Sequence, residues 1–216
     1  MAQTHSAKNL VSTLLTITES SIIPLTRTQV SLGNKLFGAA ILSRSDLQPV
    51  TVATNNESAS PLLHGEINCI QTFFAQPVNS RPPTKDCIFF ATHEPCSLCL
   101  SGITWSGFNE FYYLFTYEDS RDLFAIPYDI DILQSVYQVA SPNDTSETLA
   151  ARPLYNRVNK FFTAKSVADL VAKIEDVVER EKLTAEVARV KAVYNELSDT
   201  YQQGKASGQE TSSFFK

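Results

Sequence analysis

Membrane-spanning and secretory segments are the first features that this sequence lacks. No apolar run approaches the roughly 20 residues that a transmembrane helix requires. The opening segment MAQTHSAKNL lacks the charged and apolar blocks of a secretory signal. We therefore expect a cytoplasmic chain without a membrane partner.

Positive charge is also scarce. The 216 residues include 18 lysines and arginines against 23 aspartates and glutamates, which gives a formal net charge of -5 at pH 7. Proteins that hold a phosphate backbone usually present a basic face, because counterion release supplies much of their affinity. The sequence shows no basic stripe, so it disfavours a nucleic-acid partner and favours a small molecule, although a local basic patch can be hidden within a negative total.

Cysteines are few, and two of the four are close together. Cys96 and Cys99 form a Cys-x-x-Cys pair, whereas Cys69 and Cys87 stand alone. In a cytosolic chain such a pair indicates metal or redox chemistry more than a structural disulfide. Disulfides are also unnecessary, because a chain of this length should bury roughly 70% of its unfolded surface.

Apolar periodicity and turn residues predict helices alternating with strands. Helices are predicted at 10–23, 61–75, 95–105 and 127–139, and strands at 36–43, 49–54, 87–92 and 111–116. Pro24 is expected to end the first helix. A hairpin followed by strands and helices in alternation implies an α/β fold with helices on both faces of the sheet.

Changes in composition divide the chain into a core and an extension. The prediction is a core at 1–140, a linker and return segment at 141–165, a C-terminal helical extension at 166–203 and a flexible tail at 204–216. In the extension, apolar residues recur at alternating steps of four and three: Leu183, Val187, Val190, Tyr194, Leu197 and Tyr201. This spacing fits either a long helix folded back on its own domain or the seam of a helix-mediated dimer.

His64, Cys96 and Cys99 form a pattern that is typical of a metal site. His64-Gly-Glu66 precedes Pro95-Cys-Ser-Leu-Cys99, with a buried strand predicted between them. A catalytic zinc takes three protein ligands and leaves a fourth position for water. Two thiolates three residues apart at a helix start can converge on one ion, and His64 can supply a neutral imidazole. The pattern therefore predicts a Zn²⁺ site.

Glu66 is the predicted catalytic residue beside that site. Its side chain can lean over the open coordination position, take a proton from water, and pass it to a ring nitrogen and then to the leaving amine. Two other interpretations stay open, a structural zinc closed by His93 as a fourth ligand and a redox pair of the two cysteines. The nearby carboxylate argues against the first, and the second requires neither His64 nor Glu66.

At these residues the chain resembles the cytidine and nucleobase deaminase superfamily, in which His-x-Glu precedes Pro-Cys-x-x-Cys. The segment EPCSLCLSGITWSG at 94–107 is most similar to the guanine deaminase and tRNA adenosine deaminase branch. The resemblance implies a three-layer α/β/α deaminase sandwich with a mixed sheet, its fourth strand parallel to the third, and a homodimer that completes the pocket. The long C-terminal helical extension has no counterpart in it.

The resemblance also implies contacts to a base. Phe37 and Trp105 would sandwich the base, and Asn55 or Asn56 would hydrogen-bond its ring or a sugar. The residues themselves allow a structural role for each, since a lone aromatic is often core and asparagine favours turns.

An acid after the fourth strand would read the exocyclic groups of the base. Asp129 is the nearest such acid, ahead of Asp119. Asp129 could equally cap a helix, because it follows Pro127 near a predicted helix start.

These observations predict a zinc-dependent hydrolytic deaminase of a small amino-bearing heterocycle, first a purine base such as guanine or an analogue. A pyrimidine base or nucleoside is the second hypothesis, because His-Gly-Glu also occurs in cytosine deaminases. A tRNA-editing deaminase conflicts with the acidic charge. A non-catalytic, zinc-stabilised partner subunit would have no use for the intact Glu66.

Overall fold

The computed structural model of the chain describes residues 5–209 and residue 213. The flexibility predicted for 210–212 and 214–216 lies outside these residues. The helices are α1 (Ala7–Ile17), α2 (Ile23–Ser31), α3 (Gly65–Ala75), α4 (Ser97–Trp105), α5 (Tyr117–Phe124), α6 (Tyr128–Ile132), α7 (Ser146–Ala150), α8 (Val167–Val171) and α9 (Val177–Ala206). The strands are β1 (Gly38–Ser43), β2 (Pro49–Thr54), β3 (Cys87–His93), β4 (Glu110–Phe115) and β5 (Thr163–Ser166).

The five strands form one mixed sheet in the order β2-β1-β3-β4-β5. Strand β1 is antiparallel to β2 and to β3, whereas β4 runs parallel to β3 and β5 runs parallel to β4. Helices cover both faces: α1, α2 and α9 enclose one core, and α3 and α4 enclose the other. The predicted three-layer α/β/α sandwich with a long C-terminal helix is therefore confirmed.

Strand β3 lies in the middle of the sheet and is buried along its whole length. Its alternate residues divide between the two cores, with Ile88 and Phe90 on one face and Phe89 and Ala91 on the other. Burial on both faces explains why this segment has a continuous apolar sequence without polar alternation.

The prediction that Pro24 ends the first helix is wrong. A π-helical turn at Thr18–Ile22 joins α1 to α2, and Pro24 lies in the first turn of α2. Proline is tolerated there, because it lacks only a backbone N–H that the first turn leaves without a helical partner.

The helices that carry the predicted metal ligands begin later than predicted. Helix α3 begins at Gly65 and α4 at Ser97, so His64 and Cys96 are their N-cap residues, both with extended backbone angles. The helix predicted at 127–139 is α6 followed by a π-helical turn at Leu133–Tyr137, and α5 and β5 were not predicted.

Helix α9 folds back on its own domain. The side chains of Leu183, Val190, Tyr194, Leu197 and Tyr201 are buried in the core shared with α1 and α2. The heptad stripe is thus used inside the chain and is not free to form a dimer seam. A break at 172–176 separates α9 from α8, while the domain boundaries themselves stay predictions. Within the described residues, no helix is long and apolar enough to cross a bilayer.

Candidate metal centre

Two helix N-termini converge on the candidate metal centre. His64 is the N-cap of α3, and Cys96 is the N-cap of α4, with Cys99 in the first turn of that helix. The positive ends of both helix dipoles therefore point to one place, which favours thiolates there. Gly65 allows α3 to approach β1, since a Cβ at this position would lie 2.8 Å from the Cα of Gly38.

The spacing of the three side chains fits a tetrahedral metal. The Nδ1 atom of His64 lies 3.5 Å from the Sγ of Cys96 and 3.7 Å from the Sγ of Cys99. Tetrahedral zinc with ordinary bond lengths would separate such nitrogen and sulfur ligands by about 3.6 Å. Among the described residues, these three form the one group of His, Cys, Asp or Glu that could hold an ion.

The electrostatics of the group favour a charged pair. A hydrogen bond from Cys99, together with the adjacent His64, holds the pKa of Cys96 well below its ordinary value. Burial alone would lower the pKa of His64, but its hydrogen bond and charge interaction with Cys96 raise that pKa to about 9. These shifts favour a protonated imidazole beside the Cys96 thiolate, and a metal ion bound there would displace that proton.

Glu66 lies beside the three possible ligands. It is 5% exposed, and it shares a side-chain hydrogen bond with Cys99. Burial, and then the negative charge of Cys96, raise the pKa of Glu66 to about 7. A buried carboxyl in this position can take up a proton and give it back, and the catalytic role of Glu66 stays a prediction.

His93 does not join the metal group. Its ring stacks on Phe115 and lies 3.8 Å, centroid to centroid, from the ring of Phe37. Its Nδ1 is 2.9 Å from the hydroxyl of Thr92. A structural site closed by His93 as a fourth ligand is therefore not formed.

Asn55 and Asn56 occupy different environments. Asn55 is fully buried, and its Oδ1 accepts a 2.7 Å hydrogen bond from the backbone N–H of Gly65, next to His64. Its Nδ2 lies near the Glu57 carboxylate but without hydrogen-bond geometry to any described residue. Asn56 is half-buried in a turn that its backbone holds through Ala59 and Leu63. Of the two, only Asn55 thus holds the start of α3 beside His64.

The two acids after β4 also differ. Asp129, in the first turn of α6, lies within electrostatic range of the metal group: burial, then the charge of Cys96, raise its pKa to about 8. Asp119 instead caps α5 by accepting a hydrogen bond from the N–H of Thr116, and it pairs with Lys191 at 2.6 Å. The structure brings Asp129 to the site and leaves Asp119 outside it.

Phe37 and Trp105 do not form a sandwich within this chain. Phe37 is buried against His93. Trp105 is 91% exposed at the far end of α4, which a rise of 1.5 Å per residue places about 9 Å along the axis from Cys99. The helix carries Trp105 away from the metal group of its own chain, and the expectation that both aromatics enclose one base stays a prediction.

A buried carboxylate that the sequence did not single out holds the loop of Cys96. Glu94 is 2% exposed, and its Oε1 accepts hydrogen bonds from the hydroxyl of Tyr155 at 2.8 Å and from Arg157 at 3.2 Å. The hydroxyl of Tyr117 donates to the carbonyl of Pro95 at 2.5 Å. No local pattern signals these contacts, because Tyr155 and Arg157 are 61 and 63 residues from Glu94 in the chain.

A cavity of about 800 Å³ adjoins this network. Glu94, Tyr117, Tyr155 and Arg157 line part of it, but His64, Cys96 and Cys99 do not. The cavity therefore lies behind the loop that carries Cys96 and does not cover the metal position.

A buried ion pair lies within electrostatic range of the centre. Lys35 Nζ is 2.5 Å from Glu57 Oε1 and donates a 2.9 Å hydrogen bond to the hydroxyl of Ser213. The charges of Lys35 and Glu57 act on Asp129 and His64 respectively. The sequence indicated neither residue, because only the fold brings the two together.

The fold and the His-Cys-Cys geometry provide a site that could hold a metal ion, and a family comparison points to the same residues. Residues 20–115 match the family model of the cytidine and deoxycytidylate deaminase zinc-binding region. The matched segment runs from the first π-helical turn to the end of β4 and includes all four predicted centre residues. This segment of the chain is thus similar to a deaminase zinc-binding region, in agreement with the superfamily resemblance and with the predicted zinc cofactor.

Solved structures with partial likeness include two guanine deaminases. The enzyme of Nitrosomonas europaea is 16% identical, over 79% of this chain and 81% of that chain, with a TM-score of 0.44. The enzyme of Bacillus subtilis is 25% identical, over 59% of this chain and 84% of that chain, with a TM-score of 0.45. A structure of tRNA:A34 deaminases is 21% identical, over 44% of this chain and 71% of that chain, with a TM-score of 0.36. No curated protein matches the sequence.

Proposed function

We propose that this protein is a zinc-dependent hydrolase that removes the amino group of a small heterocycle and releases ammonia. The observation that carries the proposal is the His64, Cys96 and Cys99 group with the buried Glu66 carboxyl beside Cys99. Three possible ligands and an adjacent carboxyl are the arrangement of a catalytic centre, because a structural zinc normally has four protein ligands.

The chain's own residues divide the chemistry between them. His64, Cys96 and Cys99 would hold Zn²⁺, which when bound supplies Lewis acidity and lowers the pKa of water at the site. Glu66 takes one proton from the attacking water and gives it to the ring nitrogen. It then takes the remaining hydroxyl proton and gives it to the amine, so that the carbon–nitrogen bond breaks, a carbonyl forms and ammonia leaves. The burial of Glu66 keeps this proton from exchanging with bulk solvent during the transfer.

Asn55 and Asp129 support an amino-bearing ring as the substrate. The Nδ2 of Asn55 is a buried donor that suits a ring carbonyl or nitrogen, and Asp129 is an acid that suits an amino or imino group. Guanine presents both kinds of group, with acceptors at O6 and N7 and a donor at N2. We therefore place guanine or an analogue first among the substrates.

Ammonia release from a panel of free bases and nucleosides tests the proposal. Guanine, 8-azaguanine, adenine, cytosine, cytidine and guanosine are each incubated with zinc-loaded protein. Release from the purine bases supports the proposal, whereas release from cytosine or cytidine alone would assign the pyrimidine alternative. If the folded, zinc-loaded protein releases ammonia from none of them, a non-catalytic partner subunit becomes the better account.

A matched pair of variants tests the substrate contact. Asn55→Asp keeps the acceptor for the N–H of Gly65 but removes the amide donor, so we expect a higher KM. Asn56→Asp makes the same change one residue later, in the turn, and should leave KM nearly unchanged. Equal effects of the two substitutions would contradict the assignment of Asn55.

We also propose, from the resemblance, that the active form is a homodimer. The stripe of α9 is buried within the chain, so any interface would lie elsewhere on the surface. A molecular mass measured across micromolar concentrations tests this, and a monomer throughout would contradict it.

A further inference from the structure

A second cleft lies at the edge of the sheet opposite the metal centre. It is open to solvent, has a volume of about 510 Å³ and is formed where β3, β4 and β5 begin. Its lining residues include Arg44, Lys85, Lys160, Phe161 and Lys165. The metal ligands lie beyond the other end of β3. Seven residues at about 3.3 Å each separate the two sites by roughly 20 Å.

The lining of this basic cleft is cationic in a chain that is acidic overall. Within the described part of the chain, no ion pair is formed by Lys85, Lys160 or Lys165. Lys165 has an electrostatic interaction with Glu110. Glu110 is itself paired with Arg44 and hydrogen-bonded by Tyr112. The lysines therefore leave a local excess of positive charge, which attracts an anion despite the net charge of -5.

An exposed aromatic ring stands beside these lysines. Phe161 is 56% exposed, and the Nζ of Lys160 lies 4.9 Å from its ring centroid. The neighbouring Phe162 points inward and packs on Phe111 at 5.1 Å between centroids. Phe161 thus offers an exposed aromatic ring next to cationic groups.

The turn that carries Phe161 is held in place before any ligand binds. The Oδ1 of Asn159 accepts hydrogen bonds from the backbone N–H groups of Phe161 at 2.8 Å and Phe162 at 3.1 Å. Val158 and Thr163 form a β-bridge across the base of the turn. A ligand would therefore bind without first having to order this segment.

We propose that the basic cleft binds a nucleotide, with the phosphate between Lys160 and Lys165 and the base against Phe161. Lysine ammonium groups suit phosphate, and aromatic rings suit the faces of bases. The volume lies within the range of small-molecule sites, and a single exposed ring suits one base more than a nucleic-acid strand. This site is separate from the metal centre and does not depend on the deaminase proposal.

Isothermal titration of the zinc-loaded full chain tests the proposal with inosine 5′-monophosphate, which has no exocyclic amino group to lose. Inosine and inorganic phosphate are titrated separately to divide the binding between ring and phosphate. The variants are Lys160→Gln, Lys165→Gln and Phe161→Leu, and Lys182→Gln is the control, since Lys182 is an exposed lysine on α9 outside the cleft.

We expect the nucleotide to bind more tightly than phosphate or inosine and to weaken as salt is raised. Each cleft lysine substitution should weaken binding about tenfold, which is the effect of losing one charge-assisted hydrogen bond, and Lys182→Gln should have no effect. Nucleotide binding that Lys160→Gln and Lys165→Gln leave unchanged would overturn the proposal. A short RNA that binds more than a hundredfold more tightly than the mononucleotide would overturn it in favour of a nucleic-acid surface.

Discussion

Replacing Tyr155 with phenylalanine removes one hydroxyl that donates at 2.8 Å to the buried Glu94 carboxylate. Losing a hydrogen bond to a charged, buried group costs about 1.5–3 kcal/mol, which is about 10- to 150-fold in an equilibrium constant. Glu94 precedes Pro95 and Cys96, so the loss acts on the loop that presents one of the possible metal ligands. We expect the free energy of unfolding of the zinc-free protein to fall by about 1.5–3 kcal/mol.

The same change should also weaken zinc binding. Mutation of residues that hold metal ligands in position typically lowers metal affinity by about 10- to 100-fold. For Tyr155→Phe we expect a decrease of about tenfold. Denaturant unfolding measures the first quantity, and competition with a chromogenic chelator measures the second.

Tyr137→Phe is the matched control for this prediction. Tyr137 is 59% exposed, and its hydroxyl makes no hydrogen bond in the described part of the chain. Its loss should change stability by less than about 0.5 kcal/mol and leave zinc affinity alone. If Tyr155→Phe behaves like Tyr137→Phe in both measurements, the proposed role of the Glu94 network is refuted.

Three further predictions concern stability. Lys35→Met should lower the free energy of unfolding by about 3–5 kcal/mol, because it removes the cation that pairs with the buried Glu57 carboxylate. Adding Glu57→Gln should recover part of that loss. A change near zero for Lys35→Met in denaturant unfolding would contradict this. Burial would raise the pKa of Glu57, but the charge of Lys35 lowers this pKa below 4.5. The contribution of Glu57 to stability should therefore be complete above about pH 4.5 and should be lost as the pH falls through the folded-state pKa. A Glu57→Gln variant that loses stability in acid as steeply as the native protein would contradict this. Leu183→Ala in α9 should cost about 2–5 kcal/mol, whereas Val178→Ala, at a 75% exposed position, should cost little; similar costs would show that α9 is not packed on the domain.

The positions of the first four strands and the members of the metal group could be predicted because their signals are local. The extent of β2 follows from β-branched residues between turns, and that of β3 from a continuous apolar run that only a central strand buries on both faces. Cys96 and Cys99 are held together by one turn of helix, and His64 is the one residue brought to them from elsewhere in the chain.

Contacts between distant segments could not be predicted from local patterns. The bonds from Tyr155 and Arg157 to Glu94 depend on the return of the chain through β5, a four-residue strand too short to have a periodicity of its own. The exposure of Trp105 follows from the length and direction of α4, which the motif around Cys96 does not specify.

Pro24 illustrates a different limit. Its sequence position is compatible with ending one helix or with beginning the next. In the structure a π-helical turn precedes Pro24 and joins α1 to α2, so Pro24 lies in the first turn of α2 and does not end α1.

The central claim is that Glu66 transfers protons in a zinc-dependent deamination. The most direct test measures both the rate of ammonia release and the zinc content of the Glu66→Gln variant. Glutamine keeps the shape of the side chain but cannot take up the proton of water. We predict that the native protein releases ammonia from an amino-bearing heterocycle, and that the variant binds one zinc per chain yet releases none. Ammonia release by the zinc-loaded Glu66→Gln variant at the native rate would contradict the account.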